Sequence, residues 1–257
     1  MQKPEAIVFF DLDGTLLNSQ VEVLKSSIDA INQLHKNNII PMLSTGRTVC
    51  EVESIMQQTG IDSIIAMNGQ YVVYQGEKIF SNDIDSALIE RVKLFSAQQN
   101  IPLAYYNEAV MRVSDHSLST QHLYDYLKQP IPAIDNYIHQ TSAIQMLLLF
   151  CQQGEDIYRA AFPELNFIRN TPYCVDVFNQ GGSKGYGITQ LIQTQGFQGI
   201  PTYAFGDGLN DIEMFKVVDH PIAMKNSVDP IKALATFITD DNNNDGIAKG
   251  LKRANLI

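Results

Sequence analysis

The sequence predicts an α/β protein: a parallel-sheet core into which a smaller α+β domain is inserted. Two observations carry this. Short apolar, β-branched runs alternate with helical patterns up to about residue 81 and again from Lys184. Between them, helices separate paired strands. One-for-one alternation implies a parallel sheet covered by helices on both faces; the middle pattern implies a largely antiparallel sheet.

The first strand is Ala6 to Phe10, five apolar residues ending at Asp11-Leu12-Asp13-Gly14-Thr15. Val21, Leu24, Ile28, Ile31 and Leu34 then recur at helical spacing, with Asn18 or Ser19 as the expected cap. A second strand, Ile39 to Ser44, exits through Thr45-Gly46-Arg47 into a helix carrying Val49, Val52, Ile55 and Met56 and ending near Gly60. A third strand, Ile64 to Met67, closes at Asn68-Gly69. The insert is expected to hold a helix over 84–99, strands at 103–106 and 110–113, a further helix, a strand at 143–151, a helix near 154–162, and strands near 165–170 and 173–178. Gly181-Gly182 marks the return. Then come a helix at 184–195, a strand from Thr202 to Phe205, a helix at 209–216, and strands near 221–224 and 237–239. The expected boundaries are 1–81 with 183–257 for the core and 82–182 for the insert.

The chain has 257 residues, enough for two modest domains with real cores. Its net charge of −10 argues against nucleic acid as a partner, which needs clustered Lys and Arg, but leaves room for a small phosphorylated molecule at a locally electropositive site. Cys50, Cys151 and Cys174 show no metal or redox spacing and read as buried thiols of a reducing cytosol. No leader pattern stands at the N-terminus, and the apolar stretch Ala143 to Cys151 is too short to span a bilayer. A cytoplasmic protein without membrane contact is expected.

Ligands of open α/β sheets bind beyond the carboxyl ends of the strands, where Asp11 and Asp13 fall. Carboxylates at i and i+2 of an extended chain share a side and repel unless a cation lies between them, magnesium being the natural one. Solvated loop acids are the plainer alternative. A calcium loop is disfavoured, because Gly14 is fourth rather than sixth and a strand precedes. Ser44, Thr45 and Gly46 offer hydroxyls and backbone N–H groups at a helix start, which suit a phosphate oxygen or an ordinary cap. Lys184 opens a helix, the wrong end for a cation, so it is either a solvated surface lysine or the partner of a bound anion. Asp207, Asn210 and Asp211 follow a buried strand; Asp207 alone also reads as an N-cap. The acidic run Asp241-x-Asn243-x-Asp245-Gly246 has Lys252 at the twelfth position, so calcium is improbable there too. The five histidines have no metal spacing, and Tyr105-Tyr106 and Met146 to Phe150 read as core of the insert.

In this order, Asp11-Leu12-Asp13-Gly14-Thr15, Ser44-Thr45, Lys184, and Gly206-Asp207 with Asp211 resemble the four motifs of the haloacid dehalogenase-like phosphohydrolases, over the whole chain. Thr45-Gly46-Arg47, Met67-Asn68-Gly69, Gly182-Ser183-Lys184-Gly185, Ile222-Ala223-Met224-Lys225-Asn226 and Asp245-Gly246-Ile247-Ala248 resemble the Cof-type branch, subclass IIB, with Lys225 where that branch commonly has Gly. The resemblance implies a Rossmann-like core, with the insert as a cap that selects substrate. It implies Asp11 as nucleophile forming an aspartyl phosphate and Asp13 as general acid and base. Mg2+ would be held by Asp11, the Asp13 carbonyl and Asp207, and oriented through Asp211. Ser44, Thr45, Gly46, Lys184 and Asn210 would bind the phosphoryl group, with Arg47 as a substrate or cap contact. The implied activity is hydrolysis of small phosphate monoesters, sugar phosphates or phosphorylated cofactors, by a monomer or weak homodimer. A phosphomutase-type transferase is the rival within enzymology, and a non-catalytic phosphate-binding or receiver protein the rival outside it. Asp13 disfavours the receiver, since a stable switch has no use for a general acid.

Overall fold

The computed structural model describes residues 3–169 and 171–257. The chain divides into two compact units, Met1–Phe80 with Ser183–Ile257, and Ser81–Gly182.

In chain order the strands and helices are β1 (Ala6–Phe10), α1 (Lys25–Lys36), β2 (Ile39–Ser44), α2 (Val49–Thr59), β3 (Ile64–Ala66), β4 (Tyr71–Tyr74), β5 (Glu77–Ser81), α3 (Ser86–Gln98), β6 (Leu103–Tyr106), β7 (Met111–Val113), α4 (Leu118–Leu127), β8 (Met146–Leu149), α5 (Asp156–Ala161), β9 (Leu165–Ile168), β10 (Val175–Asn179), α6 (Lys184–Gln195), β11 (Thr202–Gly206), α7 (Ile212–Val217), β12 (His220–Ala223), α8 (Asp229–Leu234), β13 (Phe237–Ile238) and α9 (Gly246–Arg253).

The discontinuous unit holds a mixed sheet of order β13-β12-β11-β1-β2-β3-β4-β5. From β13 to β3 neighbouring strands run parallel. All five residues of β1 are buried, as a central parallel strand between helix layers requires. The chain leaves β1 for β2 and β3 on one side and later enters β11, β12 and β13 on the other. Strand order therefore reverses at β1, and the carboxyl ends of β1, β2 and β11 open onto a switch-point crevice. Ile7, Phe9, Met42, Ile65, Ala204 and Met214 are among the residues of the core on one face.

The other unit carries the sheet β7-β6-β8-β10-β9, with every pairing antiparallel. Its core gathers Tyr105, Leu147, Leu149, Tyr158, Phe167 and Val177, with Ile89 and Val92 of α3. Tyr105-Tyr106 and Met146 to Phe150 are buried, as expected. The strand expected near 165–170 ends at Ile168, and residue 170 lies outside the described residues, as do residues 1 and 2.

Several local expectations need correction. The first helix begins at Lys25, and neither Asn18 nor Ser19 caps it. Val21 has positive φ and Leu17 bridges to Val23, so 17–24 is an irregular flap; the Asn18 carboxamide oxygen accepts the Gln20 and Glu22 amides inside it. The segment 71–81, for which no element was expected, is a strand pair, turned at Gln75-Gly76 with both φ positive, as a two-residue hairpin turn demands. β4 runs antiparallel to β3, which makes the large sheet mixed. Cys50 is only half-buried, while Cys151 and Cys174 are buried. Among the described residues no helix is long and apolar enough to cross a membrane.

Candidate active site

Asp11 leaves the end of β1, and its backbone N–H bonds the Phe205 carbonyl of neighbouring β11 at 3.0 Å. Gly14 then turns the chain with φ +84°; a Cβ there would sit 2.3 Å from Asp207 Oδ2, so only glycine admits this approach. Thr15 Oγ1, from the same turn, donates to Asp207 Oδ1 at 2.9 Å.

Lys184 is no surface lysine. It lies in the first turn of α6, fully buried, and its Nζ donates to Asp11 Oδ1 and Asp211 Oδ1, each at 2.6 Å. Two carboxylates and a buried end point explain a cation at the unfavourable end of a helix. Ser183 caps that helix by accepting the Tyr186 amide. Gly69, with φ +90°, lets the 67–69 turn touch the same helix start: a Cβ there would meet the Ser183 carbonyl at 1.9 Å.

Asp207 and Asp211 do not share a helix face. A 3-10 turn, Leu209–Asp211, precedes α7, and Asp211 folds back so that its Oδ2 accepts the Asp207 and Gly208 amides at 2.9 and 3.0 Å. Both Asp211 oxygens are thereby engaged. The carboxylates of Asp11, Asp207 and Asp211 can place one oxygen each within 4.8 Å of one another.

Burial raises the Asp11 pKa, with Asp211 and Asp207 adding to the rise and Lys184 opposing it. Asp207 is pushed up to about 6 by burial and by the Asp211 charge. Burial alone would lower the Lys184 pKa, but the Asp11 and Asp211 carboxylates more than offset it and hold the ammonium protonated. One cation thus faces three crowded carboxylates. The donor set fits a small hard dication: the Asp11 and Asp207 carboxylates lie within reach of one ion, while Asp211 already accepts from Lys184 and two amides.

On the β2 side, the Ser44 hydroxyl is fully buried and has no hydrogen-bond partner among the described residues. A buried orphan hydroxyl is costly unless a ligand completes it, which suits a phosphate oxygen. Thr45 points elsewhere, its Oγ1 accepting the Arg47 amide at 3.1 Å. Gly46 lies against the Asn68 carboxamide. Asn210 donates to Asn68 Oδ1 at 3.3 Å. Asp13 is the outlier: its side chain is 57% exposed and is gripped in a fork by Arg47 Nε, at 2.9 Å, and Nη2.

The structure thus brings Asp11, Lys184, Asp207 and Asp211 into direct or near contact, with Ser44 on the adjacent strand end. Two participants escaped the sequence reading. Thr15 was visible in the Asp-Gly-Thr string but had no evident partner. Asn68 sits buried with φ 52°, between the Ser44 loop and Asn210; its signal was the Asn-Gly pair closing a strand.

Comparison with known proteins finds relatives along the whole chain. The chain is 34% identical to YkrA of Bacillus subtilis (strain 168) over 98% of both chains. It is 25% identical to the 5-amino-6-(5-phospho-D-ribitylamino)uracil phosphatase YwtE of the same organism, over 94% of this chain and 95% of that one. A crystal structure from Geobacillus kaustophilus HTA426 superposes with TM-score 0.92 at 34% identity, over 98% of this chain and all of the other. The subclass IIB sugar phosphatase BT4131 superposes with TM-score 0.85 at 26% identity, over 98% and 100%. Residues 8–251 match the family model of the haloacid dehalogenase-like hydrolases, and the chain belongs to that family as a Cof-type phosphatase.

Proposed function

We propose that this phosphatase hydrolyses small phosphate monoesters through an aspartyl phosphate on Asp11, with magnesium as its cofactor. The observation that carries the reading is the Asp11 carboxylate at the switch point, hydrogen-bonded to a buried Lys184 and flanked by the unpartnered Ser44 hydroxyl.

Asp11 attacks phosphorus, forming the carboxylate–phosphorus bond as the ester oxygen departs. Asp13, exposed at the crevice, gives its proton to that oxygen, then takes one from the water that hydrolyses the intermediate. Lys184 donates both to Asp11 and toward the phosphoryl oxygens, and Ser44 supplies the second donor. Asn210, held by Asn68, lines the same crevice. Asp11, the Asp13 carbonyl and Asp207 would hold the Mg2+, which when bound supplies charge neutralisation for the phosphoryl group. Asp211 keeps Lys184 and the backbone of Asp207 and Gly208 in place through its three acceptor contacts.

The names of YwtE and BT4131 support sugar and ribityl-type phosphates as the substrate class. The rival transferase is separated by a simple observation: hydrolysis releases free phosphate with no acceptor present. The test is a phosphate-release screen over phosphorylated metabolites, run on the native chain and on Asp11→Asn. The variant is expected to keep its fold and lose turnover by at least about a thousandfold, the scale of a lost nucleophile. Near-normal release by Asp11→Asn would overturn the assignment.

A further inference from the structure

Two motifs have no place in the chemistry above: Asn226 at the end of Ile222 to Asn226, and the asparagine-rich run from Asp240 to Asp245. In the fold both lie beside the flap that follows the nucleophile. Asn226 Nδ2 donates to the Gly14 carbonyl at 2.7 Å, and its Oδ1 accepts the Asn242 amide at 3.2 Å. Asn242 Nδ2 donates to the Leu17 carbonyl at 2.8 Å. Asn243 exchanges a pair with Ser19, accepting its amide and donating to its hydroxyl, each at 3.0 Å. The Ser26 hydroxyl donates to Asp245 at 2.6 Å. Two separate loops thus converge on one short segment, at its turn, its middle and its exit.

What that segment carries is Asp13. The Asp13 side chain is mostly exposed, so no packed core fixes it; apart from the Arg47 fork on its carboxylate, its position follows from its own main chain. On the strand side the turn is tied by Leu16 N to Asp11 O at 3.2 Å and Leu17 N to Leu12 O at 2.9 Å. On the other side stands Gly14, whose following peptide is tied through its N–H by Thr15 N to Leu12 O at 3.2 Å and is open to a second bond at its carbonyl. The bond from Asn226 fixes the peptide that follows Gly14, and the bond from Asn242 fixes the carbonyl three residues on. Carboxamides suit this task because one group donates to the flap while its oxygen accepts from the second loop, and because they carry no charge into an acidic crevice.

We propose that Asn226, braced by Asn242, is a positioning residue for Asp13: it holds the flap so that the Asp13 carboxyl meets the leaving oxygen. The proposal rests on Asp13 being the general acid, and the experiment separates the two. Steady-state kinetics are measured with phenyl phosphate, a poor leaving group, and 4-nitrophenyl phosphate, a good one, for native protein, Asp13→Asn, Asn226→Ala, Asn226→Asp and Asn242→Ala. A displaced general acid slows the ester whose leaving group needs a proton most. For Asn226→Ala, kcat on phenyl phosphate is expected to fall by about 10- to 100-fold, the range for lost supporting contacts. On 4-nitrophenyl phosphate the fall is expected to be several-fold smaller. KM, the magnesium concentration for half-activity and the urea midpoint should stay near native. Asn226→Asp should behave alike, because a carboxylate cannot donate to Gly14, and Asn242→Ala should show the same bias more weakly. An equal loss on both esters, or none, overturns the proposal. If Asp13→Asn itself fails to discriminate between the esters, the general-acid assignment falls, and the positioning role falls with it.

Discussion

Replacing Lys184 by methionine tests the electrostatics on which the site is built. The substitution roughly keeps the volume of the buried stem and removes the ammonium, leaving Asp11 and Asp211 facing each other without a cation. Each lost contact is a charged hydrogen bond of 2.6 Å, and such bonds contribute about 1.5–3 kcal/mol. Breaking a buried pair by removing one partner costs about 3–5 kcal/mol, because the stranded charge stays desolvated. A loss of about 3–5 kcal/mol is therefore expected for metal-free protein near neutral pH. It is read as the downward shift of the urea midpoint, followed by far-ultraviolet circular dichroism, since the chain has no tryptophan. Adding Asp11→Asn to Lys184→Met should recover a large part of the loss, because it removes one of the two stranded charges. Magnesium should also recover part, by stabilising only the folded cluster. A loss below about 1 kcal/mol, the scale of an exposed ion pair, would refute the buried-cluster reasoning. So would a double variant less stable than Lys184→Met alone.

Three further outcomes follow. Asp207, raised to about 6 in the fold against an ordinary value near 3.9, binds its proton more tightly folded than unfolded. Its contribution to stability is full below the unfolded value and is lost as pH rises through about 6, so metal-free protein should lose stability between pH 4 and 7. Excess magnesium should flatten that slope in parallel urea titrations, and an unchanged slope would count against a metal at Asp207. Exhaustive chelation should abolish phosphate release and magnesium restore it, with calcium a poor substitute because its looser coordination misplaces the attacking carboxylate. Gly14→Ala should cost activity by at least about tenfold, since the new methyl meets Asp207 and the positive φ is strained; native turnover in that variant would mean the turn relaxes freely.

The sequence alone carried the elements whose signal is local. Ala6 to Phe10 is apolar on both faces because a central parallel strand is covered twice, and the Asp-x-Asp that ends it marks the strand's carboxyl end. Gly60 ends its helix in a left-handed cap that glycine adopts without strain. The 71–81 hairpin was not read from the sequence: its strands are short, and β5 is half-polar at the sheet edge, where the apolar pattern is weak. The flap at 17–24 shows the opposite failure. Val21 and Leu24 fall at helical spacing, yet the segment is held in an irregular conformation by bonds to residues more than 200 positions away, which no window of sequence contains. The site divides in the same way. Motif order pointed to Asp11, Lys184, Asp207 and Asp211, because their residue types are exceptional where they stand. Only the tertiary structure decided that Lys184 is wholly buried between two carboxylates, that Asp211 is saturated while Ser44 is unpartnered, and that Thr15 and Asn68 hold the cluster together. These are statements about distance and desolvation between strands far apart in the chain. Spacing along the sequence fixes what a residue can do, and the sheet's reversal at β1 fixes what it meets.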